Sequence, residues 1–383
     1  MLTIDLPDVL APEKHTPIGL PPISTPELLN EMLQLAEHAS DLILIPMRPP
    51  QAEVAGKLLT LTLEELPTLL PEDTVRIAGD LLRNNQAAID KLKTEGACDV
   101  PYFVQGLGRF RASIFAQRGS VAIVLRVVPM LIPSLASLGL PPQFSATANI
   151  RSGLYLITGP SGSGKSTTLA AWIDKINHEK AVQILTIEDP IEFLHLHKDS
   201  TVIQRELYRD VPSFAVALRT SLRYSPKVIA CSELNDAETF SLALSAAEAG
   251  RMVIACLPGS NTIQTIEQIS GIFFPTDQQA LRTRLAKNLR CIVSQRLFEK
   301  KDGVGRVAAF EIFTSNPRTR TLLERFDLSS EMLAHAMREG AAQGMQYFQD
   351  EIEKLIYSGI IDREAALESA GDVYEDSNAP AAE

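Results

Sequence analysis

Three observations predict a mainly parallel α/β core preceded by a smaller α+β domain. From Gly153 onward, short and nearly continuous apolar runs alternate with helical stretches. A glycine-rich loop, Gly159 to Ser166, joins one such run to a helix. Before Pro129 the pattern differs, with β runs in which apolar and polar residues alternate.

Residues 1–25 are rich in proline and lack regularly spaced apolar residues, so they read as an extended, flexible tail. Thr25 caps a helix with Pro26 in its first turn, and Leu28, Leu29, Met32 and Leu35 form its apolar stripe. Leu42 to Ile45 is a strand candidate, and one long helix is expected from Glu72 to Lys93. Three β runs follow, Pro101 to Gln105, Arg109 to Phe115 and Ser120 to Val128. In the second, Arg109, Arg111 and Ser113 alternate with Phe110, Ala112 and Ile114, which puts the arginines on one face. Residues 26–130 make up this α+β domain, and 131–148, with Pro133, Pro141 and Pro142, form a linker with some helix.

The core spans 149–328. Its strand candidates are Leu154 to Thr158, Gln183 to Ile187, Lys227 to Cys231, Met252 to Leu257 and Arg306 to Ile312, and a helix is expected over Ser166 to Asn177. Residues 329–371 are helical again, and 372–383 form a polar, flexible tail.

Composition narrows the function classes. The net charge of −11 over 383 residues is a poor match to nucleic acid, whose binders cluster Lys and Arg. Cys98, Cys231, Cys256 and Cys291 lie far apart with no CxxC pair, so reduced buried thiols are expected rather than a metal cluster or disulfide framework. The N-terminus lacks a basic segment followed by an apolar one, and no apolar run approaches the ~18 residues of a spanning helix. A soluble protein is expected, reaching a membrane only through a partner.

The loop Gly159, Pro160, Ser161, Gly162, Ser163, Gly164, Lys165 and Ser166 has the spacing of a P-loop, which implies ATP with magnesium. Backbone N–H groups and the start of the following helix hold phosphates, Lys165 reaches the β- and γ-phosphates, and the Ser166 hydroxyl ligates Mg2+. At the end of the next strand, Glu188, Asp189 and Glu192 cluster in TIEDPIEF, where carboxylates orient metal-bound or attacking water; a merely solvated acidic loop has the same composition. A third apolar strand, Val228 to Cys231, delivers Glu233 in a Walker B pattern.

These three pieces in this order resemble the type II/IV secretion ATPase superfamily, and most of all the PilT-like ATPases that retract type IV pili. GPSGSGKSTTLAAWID is similar to that family's Walker A segment, TIEDPIEF to its Asp box, and SELNDAETFSLALSAAEAG to its Walker B segment and the helix after it. GRFRASIFAQRG resembles a strand of its N-terminal PAS-like domain, and RVAAFEIF a late core strand. The resemblance implies a RecA-like P-loop ATPase core, a PAS-like N-terminal domain and C-terminal helices. It implies a homo-hexameric ring, or a mixed ring with a homologous ATPase, with ATP between the two domains near a subunit boundary. An inner-membrane pilus or secretion platform would be the partner of a cytoplasmic protein peripheral to that membrane. Glu192 and Glu233 would be catalytic; the P-loop, Thr167, Arg111 and Arg126 would contact the nucleotide; and Ser166, Glu188, Asp189 and Glu233 would hold the metal. Arg111 and Arg126 would read equally well as ordinary surface charges on strands. Arg219 and Arg223 match family arginines as well.

The departures are specific. The family's His box is GRMVIACLPGS here, with Arg251 and Pro258 where histidines are usual. Asn235, Ser232 and Lys227 replace a customary arginine, glycine and aspartate, and SDLILI lacks a histidine after SDL. The implied function is a motor ATPase driving pilus retraction, with an eroded γ-phosphate sensor. The alternative is a weakly active nucleotide-binding accessory subunit that modulates a complete retraction ATPase.

Overall fold

The computed structural model describes residues 23–37, 39–54, 56–83, 85–128, 131–145, 152–303, 305–325, 329–370 and Val373. The two expected tails lie outside these residues, apart from 23–25 and Val373. The chain divides into two compact units, Met1–Met130 and Leu131–Glu383.

In the first unit α1 (Thr25–Leu35) begins one residue earlier than expected, with Ser24 as its cap. Ser24 Oγ accepts the Glu27 N–H while the Glu27 carboxylate takes the Ser24 N–H at 3.1 Å, a reciprocal pair that Thr25 cannot form. The Thr25 hydroxyl instead donates to Asp80 Oδ2 at 2.7 Å. The strands β1 (Asp41–Leu44), β2 (Gln51–Val54) and β3 (Lys57–Thr60) follow, then α2 (Pro71–Leu82) and α3 (Gln86–Glu95). The single helix expected from Glu72 to Lys93 is therefore two. Asn85 caps the second by accepting the Ala88 N–H at 3.1 Å, so the chain starts a new helix there instead of continuing the old one. With β4 (Ala97–Val104), β5 (Gly108–Gln117) and β6 (Ser120–Val128) the strands form an antiparallel sheet of order β3-β2-β1-β6-β5-β4. Leu28, Leu29 and Met32 of α1 and Ile77 of α2 share one buried cluster with Phe110 and Ile123 of the sheet.

The second unit opens with residues 131–145, which include α4 (Pro142–Ser145). The linker reading fails here: Leu135, Leu140 and Phe144 are buried in the unit's core, and the Phe144 ring meets Trp172 edge-on at 4.5 Å. The proline spacing that suggested a linker supplies bends, while these three apolar residues anchor the segment.

The core elements are β7 (Gly153–Thr158), α5 (Lys165–Glu179), β8 (Gln183–Glu188), β9 (Thr201–Glu206), α6 (Phe214–Ser221), β10 (Val228–Cys231), α7 (Ala237–Glu248), β11 (Met252–Leu257), α8 (Thr262–Gly271), α9 (Gln278–Asn288), β12 (Leu289–Glu299) and β13 (Arg306–Thr314). The sheet order is β13-β12-β7-β11-β10-β8-β9, parallel throughout except for the β12–β13 pair. Strands β7, β10 and β11 are buried along their whole length, as a sheet covered on both faces requires. One face packs on a cluster containing Trp172 of α5, the other on a cluster containing Phe240 of α7 and Ile266 of α8.

After β13 come α10 (Pro317–Leu323), α11 (Ser330–Glu339), α12 (Phe348–Tyr357) and α13 (Arg363–Ala370). These C-terminal helices belong to the same unit: Phe348, Ile352 and Ala366 are buried with Phe298 of β12 and Ala309 of β13. Glu311 of β13 is buried and accepts the Thr262 N–H, at the start of α8, at 2.6 Å. Its carboxylate also takes the Phe348 N–H at the start of α12.

Parallel register brings the functional segments to one edge. Leu257 pairs with Thr158, and Cys231 with both Ala255 and Ile187, so the loops after β7, β8, β10 and β11 leave the sheet together.

Candidate nucleotide site

The P-loop links β7 to α5, and its shape demands glycine at the first and last turns. Gly159 has φ of +157°, and a Cβ there would lie 2.4 Å from Ser163 Oγ and 2.6 Å from the Gln295 carbonyl oxygen. Gly164, at φ +88°, caps α5, so that Lys165 and Ser166 begin the helix beside its unpaired N–H groups. Those N–H groups and the positive end of a 15-residue helix make an anion site.

Lys165 is folded onto the loop. Its Nζ donates to the Gly159 and Pro160 carbonyl oxygens at 2.9 and 2.8 Å. Burial draws its pKa below the ordinary lysine value, and Cys256, Glu233 and Glu192 act against that shift. Ser166 Oγ donates to Glu192 Oε1 at 2.7 Å, joining the loop to the Asp box. Glu192 and Glu233 are themselves exposed.

Of the carboxylates expected at the metal, Glu188 faces a different environment. It is 9% exposed, and its Oε1 accepts from Thr186 Oγ1 at 2.6 Å and Gln204 Nε2 at 2.9 Å. Burial pushes its carboxyl above the usual range, against those hydrogen bonds. Asp189 is exposed, and its N–H donates to Ser232 Oγ at 3.0 Å. Ser232, standing where the family usually has glycine, thus ties the Asp-box loop to the Walker B strand.

Two amides, buried Gln295 and half-buried Gln204, went unnoticed in the sequence. Gln295 of β12 donates through Nε2 to the Ser163 carbonyl at 2.5 Å and accepts from Thr168 Oγ1 at 2.8 Å, so it braces the P-loop from below. Gln204 of β9 does the same for the Asp-box loop. The only sequence signal for either is a polar residue within a strand of otherwise apolar character.

Arg251 and Pro258 flank β11. Arg251 lies at its start, where its Nη1 donates to the Ala249 carbonyl at 3.0 Å and its own carbonyl accepts the Gly153 N–H at 3.0 Å. Pro258 follows Leu257, at the edge that carries the P-loop. Arg219 forms an ion pair with Glu238, and Arg223, Lys227 and Asn235 are exposed.

Arg111 and Arg126 belong to the first unit, directly opposite each other on β5 and β6. Asp99 approaches Arg111 at 3.7 Å and Asp41 approaches Arg126 at 3.2 Å, which offsets the repulsion of the like pair. Arg111 is 46% exposed and Arg126 72%, so an anion can reach them.

A family model described as type II/IV secretion system protein matches residues 105–351. The type IV pilus retractation ATPase PilT of Pseudomonas aeruginosa is 38% identical over 346 residues, 89% of this chain and 98% of that protein. The type IV pilus ATPase PilU of the same organism is 35% identical over 339 residues, 88% of this chain and 87% of that protein. Among solved structures, the pilus retraction motor PilT with bound ADP superposes with a TM-score of 0.81 at 39% identity, covering 91% of this chain and 97% of that one. The ATPase DotB of Legionella pneumophila gives 0.75 at 29% identity, covering 92% and 98%. With a P-loop, an Asp box and a Walker B strand on one edge of a mainly parallel sheet, the chain belongs to the type II/IV secretion system protein family.

Proposed function

We propose that this chain is a motor ATPase of the pilus-retraction kind, hydrolysing ATP and coupling the reaction to disassembly of a filament. The observation that carries this reading is the Ser166–Glu192 hydrogen bond that joins the P-loop to the Asp-box loop, in a chain similar along nearly its whole length to retraction ATPases. The P-loop N–H groups and Lys165 bind the β- and γ-phosphates. Glu192 takes up and orients the attacking water, and Glu233 supports it from the Walker B strand.

The donors around Ser166 are all hard oxygens, which fits magnesium, and among the described residues no cluster of three or more His, Cys, Asp or Glu could hold a metal ion alone. Mg2+ would therefore be held by Ser166, the phosphates and water, with Asp189 and Glu233 nearby, and would neutralise charge on the phosphates. The assembly is a ring of six, docked on an inner-membrane platform protein. Among the described residues no helix is long and apolar enough to cross a membrane.

One observation favours a second reading. Pro258 offers neither an N–H nor a polar side chain at the site's edge, which suits an accessory subunit of low turnover in a mixed ring. Steady-state ATP hydrolysis by the purified protein separates the two. Lys165→Ala should abolish nucleotide binding, whereas Glu192→Gln and Glu233→Gln should each bind normally and lose turnover by about 10²–10³. Wild-type turnover in either Gln variant removes that residue's catalytic assignment.

A further inference from the structure

Glu192 is exposed between buried Ile191 and Phe193, and its carboxylate must be held where a water can be oriented. The support comes from the neighbouring strand. Gln204 of β9 stands opposite Thr186 of β8 in parallel register, which places its side chain over the end of β8. Its amide is used completely. Nε2 donates to Glu188 Oε1 at 2.9 Å and to the Phe193 carbonyl at 2.8 Å, and Oε1 accepts the His195 N–H at 2.9 Å. The Glu188 carboxylate is held also by Thr186 Oγ1 at 2.6 Å.

We propose that Gln204 is a positioning residue for the hydrolytic carboxylate: through Glu188 and the Phe193–His195 backbone it fixes Glu192 against Ser166. This rests on the reading of Glu192 as the catalytic carboxylate. Gln204 binds the carbonyl of the residue after Glu192 and the N–H of His195, so the backbone leaving Glu192 is tied to β9, and the Glu192 side chain lies at 2.7 Å from Ser166 Oγ. Glu188 belongs to this frame: it is buried and spent on internal donors, so its part is to hold the loop rather than to ligate metal.

The geometry is specific to an amide. An apolar side chain of equal length would strand the Phe193 carbonyl, the His195 N–H and the Glu188 carboxylate together. A carboxylate would keep the His195 link but set an acceptor against two acceptors. Displacing a reacting group by about 1 Å costs on the order of 10²-fold in rate, so the loss should fall on turnover. Nucleotide affinity resides in the P-loop and should persist.

The test uses the full chain and measures single-turnover ATP hydrolysis alongside binding of a fluorescent ADP analogue. Gln204→Met should lower kcat by about 10- to 100-fold and change the analogue's Kd by less than about threefold. In a Glu192→Gln background the same substitution should alter the residual rate by less than about twofold, because the group being positioned is already gone. Gln204→Glu, which keeps the volume and the His195 link, gives the same reading should Gln204→Met fail to fold. Wild-type turnover in a folded Gln204 variant overturns the proposal. So does an equal fold-loss in both backgrounds, or a loss of affinity as large as the loss of kcat. Wild-type turnover in Glu192→Gln alone would instead overturn the assignment of Glu192 and leave a separate signature.

Discussion

Arg251 and Pro258 stand at opposite ends of one strand, β11, and seven residues of extended chain separate them by about 23 Å. Within one protomer the two positions therefore cannot serve the same phosphate. Pro258 adjoins the P-loop edge, while Arg251 is turned back onto the Ala249 carbonyl. Pro258→His should raise kcat by about tenfold or more with little change in ATP affinity, and Arg251→His should leave kcat within about twofold. Steady-state assays of the two single variants decide this. A rise from Arg251→His alone would show that this residue meets the nucleotide of a neighbouring subunit.

Gln295 makes a second prediction. Gln295→Leu strands the Ser163 carbonyl and the Thr168 hydroxyl in a buried site, at about 1–3 kcal/mol for each. The cost falls on the P-loop itself, so ATP affinity should drop by about tenfold and the melting temperature by several degrees. Calorimetric titration and thermal unfolding of the same preparation check both. Unchanged affinity in a destabilised protein would confine Gln295 to folding.

His195 gives the protein an acid-sensitive term. Burial holds its imidazole neutral, with a pKa lowered from 6.5 to about 4; Asp174 opposes that shift and Lys198 adds to it. The unfolded chain takes up this proton as pH falls through about 6.5, and the folded chain only near 4, so stability present above 6.5 is lost progressively between those values. The difference is worth about 3 kcal/mol. His195→Phe should flatten the fall in urea midpoint between pH 7 and 5. An unchanged slope would place the acid sensitivity elsewhere.

Ring assembly is the fourth prediction. Light scattering at micromolar concentration with a non-hydrolysable ATP analogue should report a hexamer. A strictly monomeric species under those conditions would remove the motor reading.

What the sequence revealed and what it concealed have a common cause. β7, β8, β10, β11 and β13 were legible because their apolar runs are short and nearly unbroken. β9 and β12 were not, because Gln204, Arg205, Gln295 and Arg296 interrupt theirs. Two of those interruptions are the amides of Gln204 and Gln295, so residues that brace the site also helped to hide the strands that carry them. The β2–β3 hairpin escaped for another reason: all four residues of β3 are exposed, leaving no alternation to detect. The inward turn of Glu188 was not legible because a carboxylate at a strand end has the same sequence signature whether it turns toward solvent or inward. Only the positions of Thr186 and Gln204 decide which.

The buried carboxylate of Glu311 carries one more consequence. It receives the first N–H of α8 and the first N–H of α12, two helices far apart in sequence. α8 begins four residues after Pro258, at the phosphate edge, and α12 lies among the C-terminal helices. Any tilt of α8 must either drag the start of α12 along or leave a buried acceptor without its donor, at about 1–3 kcal/mol. The cheaper course is to move together. Glu311 thus couples the start of α8, just beyond the phosphate edge, to the start of α12.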